Sequence, residues 1–172
     1  MPIHLLQNKE INKQRWDTAI KQSPNGLIYA WSIYLDHLCP GWCALMNDDY
    51  SLLMPLTIRK KMGIRYLCQP PFCQQLGVFG TAIITKKAIE EFVAKAQKYI
   101  SFAEININYK NFFKYDNSLK QRKNYIINLN NDYQSIRSNY SKELLKKNLS
   151  RTENYNFIYS EKDRKSTRLN SS

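Results

Sequence analysis

Four cysteines, two histidines and one short run rich in glutamine and proline are the parts of this chain that could do chemistry. Cys39 and Cys43 form one close pair, Cys68 and Cys73 a second, which invites a zinc reading. Neither spacing is the two-residue knuckle of structural zinc, and Trp42 and Phe72 surround the sulfurs with apolar bulk, so buried or half-buried thiols fit better. His4 and His37 do not combine with Ser, Cys or Asp into a readable nucleophile set, and ordinary surface or packing roles suit both. Gln74-Gln75-Leu76-Gly77-Val78-Phe79 comes near the Arg/Gln-x-x-Gly-x-Gly/Ala turn that cradles a pyrophosphate at a helix start. Phe79, however, stands where Gly or Ala must let backbone amides approach the phosphates. The residues best suited to a polar substrate are Arg59, Lys60 and Lys61 for anionic groups, and Tyr66, Gln69, Gln74 and Gln75 for hydrogen bonds. The amides lie on a loop that Pro70 and Pro71 hold extended. Each has a plainer alternative: a solvated hairpin turn for the cations, ordinary loop solvation for the amides.

The elements that must position these residues follow from periodicity. His4-Leu5-Leu6 opens a strand. Asn12 is placed to cap a helix bearing Trp16, Ala19 and Ile20 on one face, which ends before the turn Ser23-Pro24-Asn25-Gly26. Trp31, Tyr34, Leu35 and Leu38 mark a second helix, stopped by Pro40-Gly41. Trp42 to Met46 and Tyr50 to Ile58 read as a hairpin through Asn47-Asp48-Asp49. A turn at Lys60-Lys61-Met62-Gly63 then leads into Ile64 to Cys68, giving three antiparallel strands in succession. The Gln69–Gly77 segment is not helical. Thr85 caps the clearest helix, over Lys86 to Tyr99, whose apolar stripe is Ile89, Phe92, Val93, Ala96, Tyr99 and Ile100. Phe102 to Ile107 and Tyr125 to Leu129 read as strands. Asn131, with Gln134 reaching back, opens a further helix whose apolar face is Tyr133, Ile136, Tyr140, Leu144 and Leu145. Tyr155 to Tyr159 starts another strand.

Length and composition bound the rest. The chain has 172 residues, 43% hydrophobic and 23% charged, which is the range of a globular domain with a single core. Met1-Pro2-Ile3-His4 is not the start of a signal peptide, and no apolar run reaches membrane-spanning length, so a reduced, cytoplasmic protein is expected. The net charge of +12 leans toward the C-terminal part, where Lys110, Lys114, Lys120, Arg122, Lys123, Arg137, Lys142, Lys146, Lys147 and Arg151 gather. Such a patch could face phosphate, as in a nucleotide-linked substrate or RNA, or it could be compositional drift in a chain rich in Lys, Asn, Ile and Tyr. Asp163 to Ser172 has no hydrophobic period. Read as codons it translates a widely used sequencing-library adapter, so it is expected to be non-native and to pack against nothing.

Three stretches carry a resemblance. Ser23-Pro24-Asn25-Gly26-Leu27-Ile28-Tyr29-Ala30 with Trp31 and Leu35 is one. Leu53-Met54-Pro55-Leu56, Arg59-Lys60-Lys61-Met62-Gly63 and Tyr66-Leu67-Cys68-Gln69-Pro70-Pro71-Phe72 make the second. Arg122-Lys123-Asn124-Tyr125-Ile126-Ile127-Asn128-Leu129, with Tyr140-Ser141-Lys142 and Lys147-Asn148-Leu149, is the third. Together these resemble the first domain, and the linker into the second, of Fem-type aminoacyltransferases of the GNAT fold. The resemblance implies an α/β fold with a mixed, mainly antiparallel sheet flanked by helices, over residues 1–130. It also implies a linker helix and the start of a truncated second GNAT-like domain over 131–162, followed by the adapter-derived 163–172. It implies a small-molecule or peptide amine acceptor bound to the first domain, which would pack against the missing second one. The acyl-CoA or aminoacyl-tRNA donor would belong to that second domain, leaving no cofactor in this fragment and little or no transferase activity. Two other readings stand beside it: a basic RNA-binding module, with Tyr115, Tyr125, Tyr133 and Tyr140 interspersed among the cations, and a non-catalytic structural domain. Helical spacing, which turns Tyr133 and Tyr140 inward, counts against the RNA reading.

Overall fold

Strands covered on both faces need apolar side chains at nearly every position, and the middle of this chain supplies them in Cys43-Ala44-Leu45-Met46 and Leu52-Leu53-Met54-Pro55-Leu56. A computed structural model describes residues 2–111, 122–123, 128–140, 143, 147–148, 151–152 and 155. The chain divides into two units, Met1–Lys120 and Gln121–Ser172.

In the first unit, β1 (His4–Gln7), β2 (Cys43–Met46), β3 (Leu52–Leu56) and β6 (Phe79–Gly80) form a four-stranded antiparallel sheet in the order β1-β2-β3-β6. Alternation sends Ala44, Met46, Leu53 and Phe79 to one face. There they meet Trp16, Ala19 and Ile20 of α1 (Lys13–Gln22) and Leu35 of α2 (Ser32–Leu38). Cys43, Leu45, Met54 and Leu56 point the other way, onto Ile89, Phe92 and Ala96 of α3 (Lys86–Gln97). The result is helix, sheet and helix in three layers. The expected caps are present: Asn12 Oδ1 accepts from the Arg15 amide at 3.0 Å and Thr85 Oγ1 from the Ala88 amide at 3.1 Å.

A second, three-stranded sheet has the order β4-β5-β7, from β4 (Ile58–Lys61), β5 (Ile64–Cys68) and β7 (Phe102–Glu104). The β4–β5 pair is antiparallel and the β5–β7 pair parallel. Thus the α/β architecture with a mixed, mainly antiparallel strand arrangement is present. The expected succession of three paired strands is not. The apolar run from Tyr50 to Ile58 breaks at the fully buried Thr57, whose Oγ1 donates to the Cys68 carbonyl at 2.5 Å. The chain passes there from one sheet into the other.

Further differences are local. Lys60 and Lys61 belong to β4, and the turn is only Met62-Gly63, at φ +50° and +83°. Val93 is 37% exposed, because it lies on the shoulder of the α3 stripe. The strand expected over Phe102 to Ile107 stops at Glu104, with a lone parallel bridge from Ile107 to Leu76.

In the second unit, α4 (Tyr133–Ser138) is capped by Asp132, whose Oδ1 accepts from the Ser135 amide at 3.0 Å, and not by Asn131. It buries no residue. Tyr133 and Tyr140 are exposed rather than turned inward. Leu129 sits in a turn, and Tyr155 in a turn as well. Most of the strands expected over Tyr125–Leu129 and Tyr155–Tyr159, Leu144 and Leu145 of the helix face, and all of Asp163–Ser172 lie outside the described residues.

Candidate functional site

The loop between β5 and β6 is built from the inside out by amides. Asn111 pairs with Val78 as a neighbouring strand would: its Oδ1 accepts from the Val78 amide at 2.7 Å and its Nδ2 donates to the Val78 carbonyl at 2.9 Å. Asn25 Nδ2 donates to the same carbonyl at 2.9 Å, and Asn108 Nδ2 donates to the Asn25 carbonyl at 3.0 Å. All three asparagines are buried, so each satisfied amide removes a desolvation penalty that the loop would otherwise carry. Gly77 adopts φ +110°, and a Cβ there would come within 2.5 Å of Asn111 Oδ1. The near-miss pyrophosphate turn therefore runs into a strand, and its Val78 amide is already taken.

Two of the glutamines brace this loop. Gln69 Oε1 accepts from the Asn106 amide at 3.1 Å while its Nε2 donates to Cys73 Sγ at 3.2 Å. Gln75 Oε1 accepts from the Tyr109 amide at 3.0 Å. Gln74 is exposed. Beside it on the loop, Phe72 is held at φ +61° with its ring 89% exposed. A bulky side chain in the left-handed region is strained, and this one gains no burial in return.

Arg59 and Tyr66 are direct cross-strand partners in the second sheet, so they share a face. Lys60 alternates to the opposite face, where Arg65 is its partner, and Lys61 lies next to the Met62-Gly63 turn. The structure thus brings Arg59 together with Tyr66, puts Gln69, Gln74 and Gln75 on one loop, and sets Lys60 and Lys61 apart from it.

The four thiols are free; Cys39, Cys43 and Cys73 are buried and Cys68 half-buried. Burial pushes Cys43 up to about 11, with Cys39 adding to it, and Cys73 up to about 11 against hydrogen bonds from Gln69 and the Gln75 backbone. Burial also raises Cys39, opposed by the Arg59 guanidinium. Thiols so protonated are poor nucleophiles. Among the described residues, no group of three or more His, Cys, Asp or Glu is arranged to hold a metal ion, and no helix is long and apolar enough to cross a membrane.

A cavity of about 540 Å³ opens at the opposite end of the four-stranded sheet, lined by His4, Asp48, Tyr50, Lys95 and Tyr99 among others. None of the seven sequence-predicted contacts lines it. His4 Nε2 lies 3.4 Å from Asp48 Oδ1, and His37 Nδ1 lies 2.7 Å from the Ile33 carbonyl one turn back.

Sequence reasoning missed the buried asparagines. Their types were visible, but Asn25 and Asn108 are 83 positions apart and no spacing rule links them. The extended path expected from Pro70 and Pro71 is instead a turn, closed by the Cys73 amide donating to the Pro70 carbonyl at 3.2 Å, and Phe72 takes its positive φ as the third residue of that turn. Comparison with protein-family models, with curated proteins and with solved structures finds no match in any of the three.

Proposed function

We propose that the first unit is the acceptor-binding half of an acyl or aminoacyl transferase acting on an amine, with the Gln69–Gly77 loop as its contact surface. Phe72 carries the reading. Its exposed ring on a strained backbone adds nothing to the core, and strain of this kind gathers where a ligand is gripped. The loop beneath is braced by Gln69, Gln75 and Asn111, each bonded to backbone, an arrangement that would hold Phe72 and Gln74 in place for a ligand. An amine attacks an activated carbonyl only when neutral. Neither a covalent nucleophile nor a metal is required by such a transfer. The remaining requirement, oxyanion stabilisation by backbone N–H groups at the donor, would fall to a second domain.

The test is to titrate the full chain with a panel of small and peptide amines, reading amide chemical shifts, and to assay it with acyl-CoA and aminoacyl-tRNA donors. Shifts confined to Gln69–Gly77, reduced by Phe72→Ser and Gln74→Ala, without turnover, are expected. Amine-dependent shifts elsewhere, or turnover abolished by changing Gln74 and Gln75 to Ala, would overturn the assignment.

A further inference from the structure

The outer face of the three-stranded sheet has a composition that folding does not explain. Register places Arg59, Tyr66 and Phe102 side by side across β4, β5 and β7. Lys61 and Ile64 form the row on one side of it, and Cys68 and Glu104 the row on the other, so the cations lie at the β4-β5 end of the face and the one carboxylate of these rows at the far edge of β7. Phe102 is 61% exposed and Ile64 57%, while Tyr66 is half-buried. The cations on this sheet, Arg59, Lys60, Lys61 and Arg65, make no ion pair among the described residues, whose salt bridges involve only His4, Lys13 and Lys86. Cross-strand neighbours lie about 4.8 Å apart, so two rings stand next to each other with a guanidinium alongside.

From this we infer that the outer face of β4-β5-β7 binds single-stranded nucleic acid, stacking unpaired bases on Tyr66 and Phe102 and placing phosphates against Arg59 and Lys61. Unpaired bases offer flat faces that suit aromatic rings and the guanidinium plane, and the backbone supplies the anions that these cations lack. An acidic protein segment would meet the cations but leave the row of rings without a purpose. The inference rests on the sheet face alone and does not depend on the acceptor-loop reading.

The experiment is fluorescence anisotropy of the full chain with labelled RNA and DNA single strands of about twelve nucleotides, a size that spans one such platform. A duplex of the same sequence and polyglutamate serve as competitors. Both single strands should bind, and affinity should fall steeply with salt. Phe102→Ser should weaken binding about tenfold with no change in melting temperature, since the ring is exposed. Tyr66→Phe should bind as the parent does, whereas Tyr66→Ala should not. Arg59→Gln and Lys61→Gln should each flatten the slope of log K against log salt by about 0.7. Equal competition by polyglutamate would replace nucleic acid with an acidic partner. Preference for duplex, unchanged binding by Phe102→Ser, or no binding at low salt would overturn the inference.

Discussion

The two sheets of the first unit share one run of chain, which passes from β3 of the first into β4 of the second, yet they obey different rules. On one side of Thr57, every residue of β2 is buried and β3 is buried from Leu53 onward, between helices on both faces. On the other side, β4 and β5 bury only Leu67 fully and carry their cations into solvent. The same backbone ladder is therefore core in one place and surface in the other. What separates them is whether helices cover the faces, since the strands themselves have similar length. Leu67 ties one face of this sheet to the core, but the other face is free to carry side chains chosen for something else, and the exposed Phe102, the half-buried Tyr66 and cations without ion pairs among the described residues have that character.

The comparison breaks most visibly if a charge is put into each sheet's surroundings in turn. Phe92 is 1% exposed in the α3 layer, so Phe92→Asp should destabilise the protein by roughly 4 kcal/mol or more, combining a lost aromatic with an unpaired carboxylate. Phe102→Asp, on the open sheet, should stay within about 0.5 kcal/mol. Urea unfolding of both variants checks this, and equal losses would mean that the face bearing Phe102 is part of the core.

Next in size is the asparagine clamp at the edge of the buried sheet. Asn111→Ala leaves the Val78 amide without its partner and should cost about 2–3 kcal/mol. Gly77→Ala should cost a similar amount, about 2 kcal/mol, through its φ of +110° and the clash with Asn111 Oδ1. Because both changes act on one contact, the double variant should lose less than the sum, and additive losses would show that the two sites are independent.

What could be read in the sequence was what repeats or sits close together. The α1 and α3 stripes and their caps at Asn12 and Thr85 are set within a turn or two of chain, and they were legible. The break at Thr57 was not, because Thr is itself a good strand residue and the apolar run of β3 continues past it to Ile58 with no turn signal between. Val93 lies within the α3 stripe by spacing, yet the face that is buried is centred on Ile89, Phe92 and Ala96 and leaves it at the rim. At α4, Asn131 and Asp132 are equally good caps by type, and the hydrogen bond to Ser135 selects the second. Of the site, the glutamine loop was legible as non-helical from its prolines, although Pro70 to Cys73 closes a turn and does not run extended. Which amides face inward was not, since that depends on the Asn106 and Tyr109 backbone more than thirty residues away.

A smaller effect probes how the helical cover is held. Asp36 on α2 accepts from Lys13 at 2.5 Å, Trp42 Nε1 at 2.9 Å and Asn8 at 3.0 Å. Burial alone would raise this carboxyl, but those three donors outweigh it and hold it below its ordinary value. A depressed folded-state value means stability that is present above the unfolded value, near pH 4, and lost as pH falls through the folded one. Asp36→Asn should therefore cost about 1 kcal/mol at neutral pH, a modest figure for a partly exposed pair, and nothing in strong acid. Melting temperatures measured from pH 7 to pH 2 should converge for parent and variant, and a constant gap would assign the cost to packing.

The smallest effect has the opposite sign. Lys60 and Arg65 face each other directly across β4 and β5, both exposed. Like charges in that position repel by about 0.2–1 kcal/mol, a cost the fold would shed if stability alone governed the sheet. Arg65→Glu turns the repulsion into attraction and should stabilise the protein by a few tenths of a kcal/mol, fading as salt screens both terms. Arg65 lies on the face opposite Arg59, Tyr66 and Phe102, so the same change should leave the hold of that outer face on single-stranded nucleic acid largely as it is in the parent. A variant that is more stable yet binds as the parent does would show that the two faces of this sheet act separately, whereas a large loss of binding would move the nucleic acid to the Lys60–Arg65 face. If Arg65→Glu destabilises instead, the pair is not in repulsive contact, and the contrast between the covered sheet and the open one is smaller than its charges suggest.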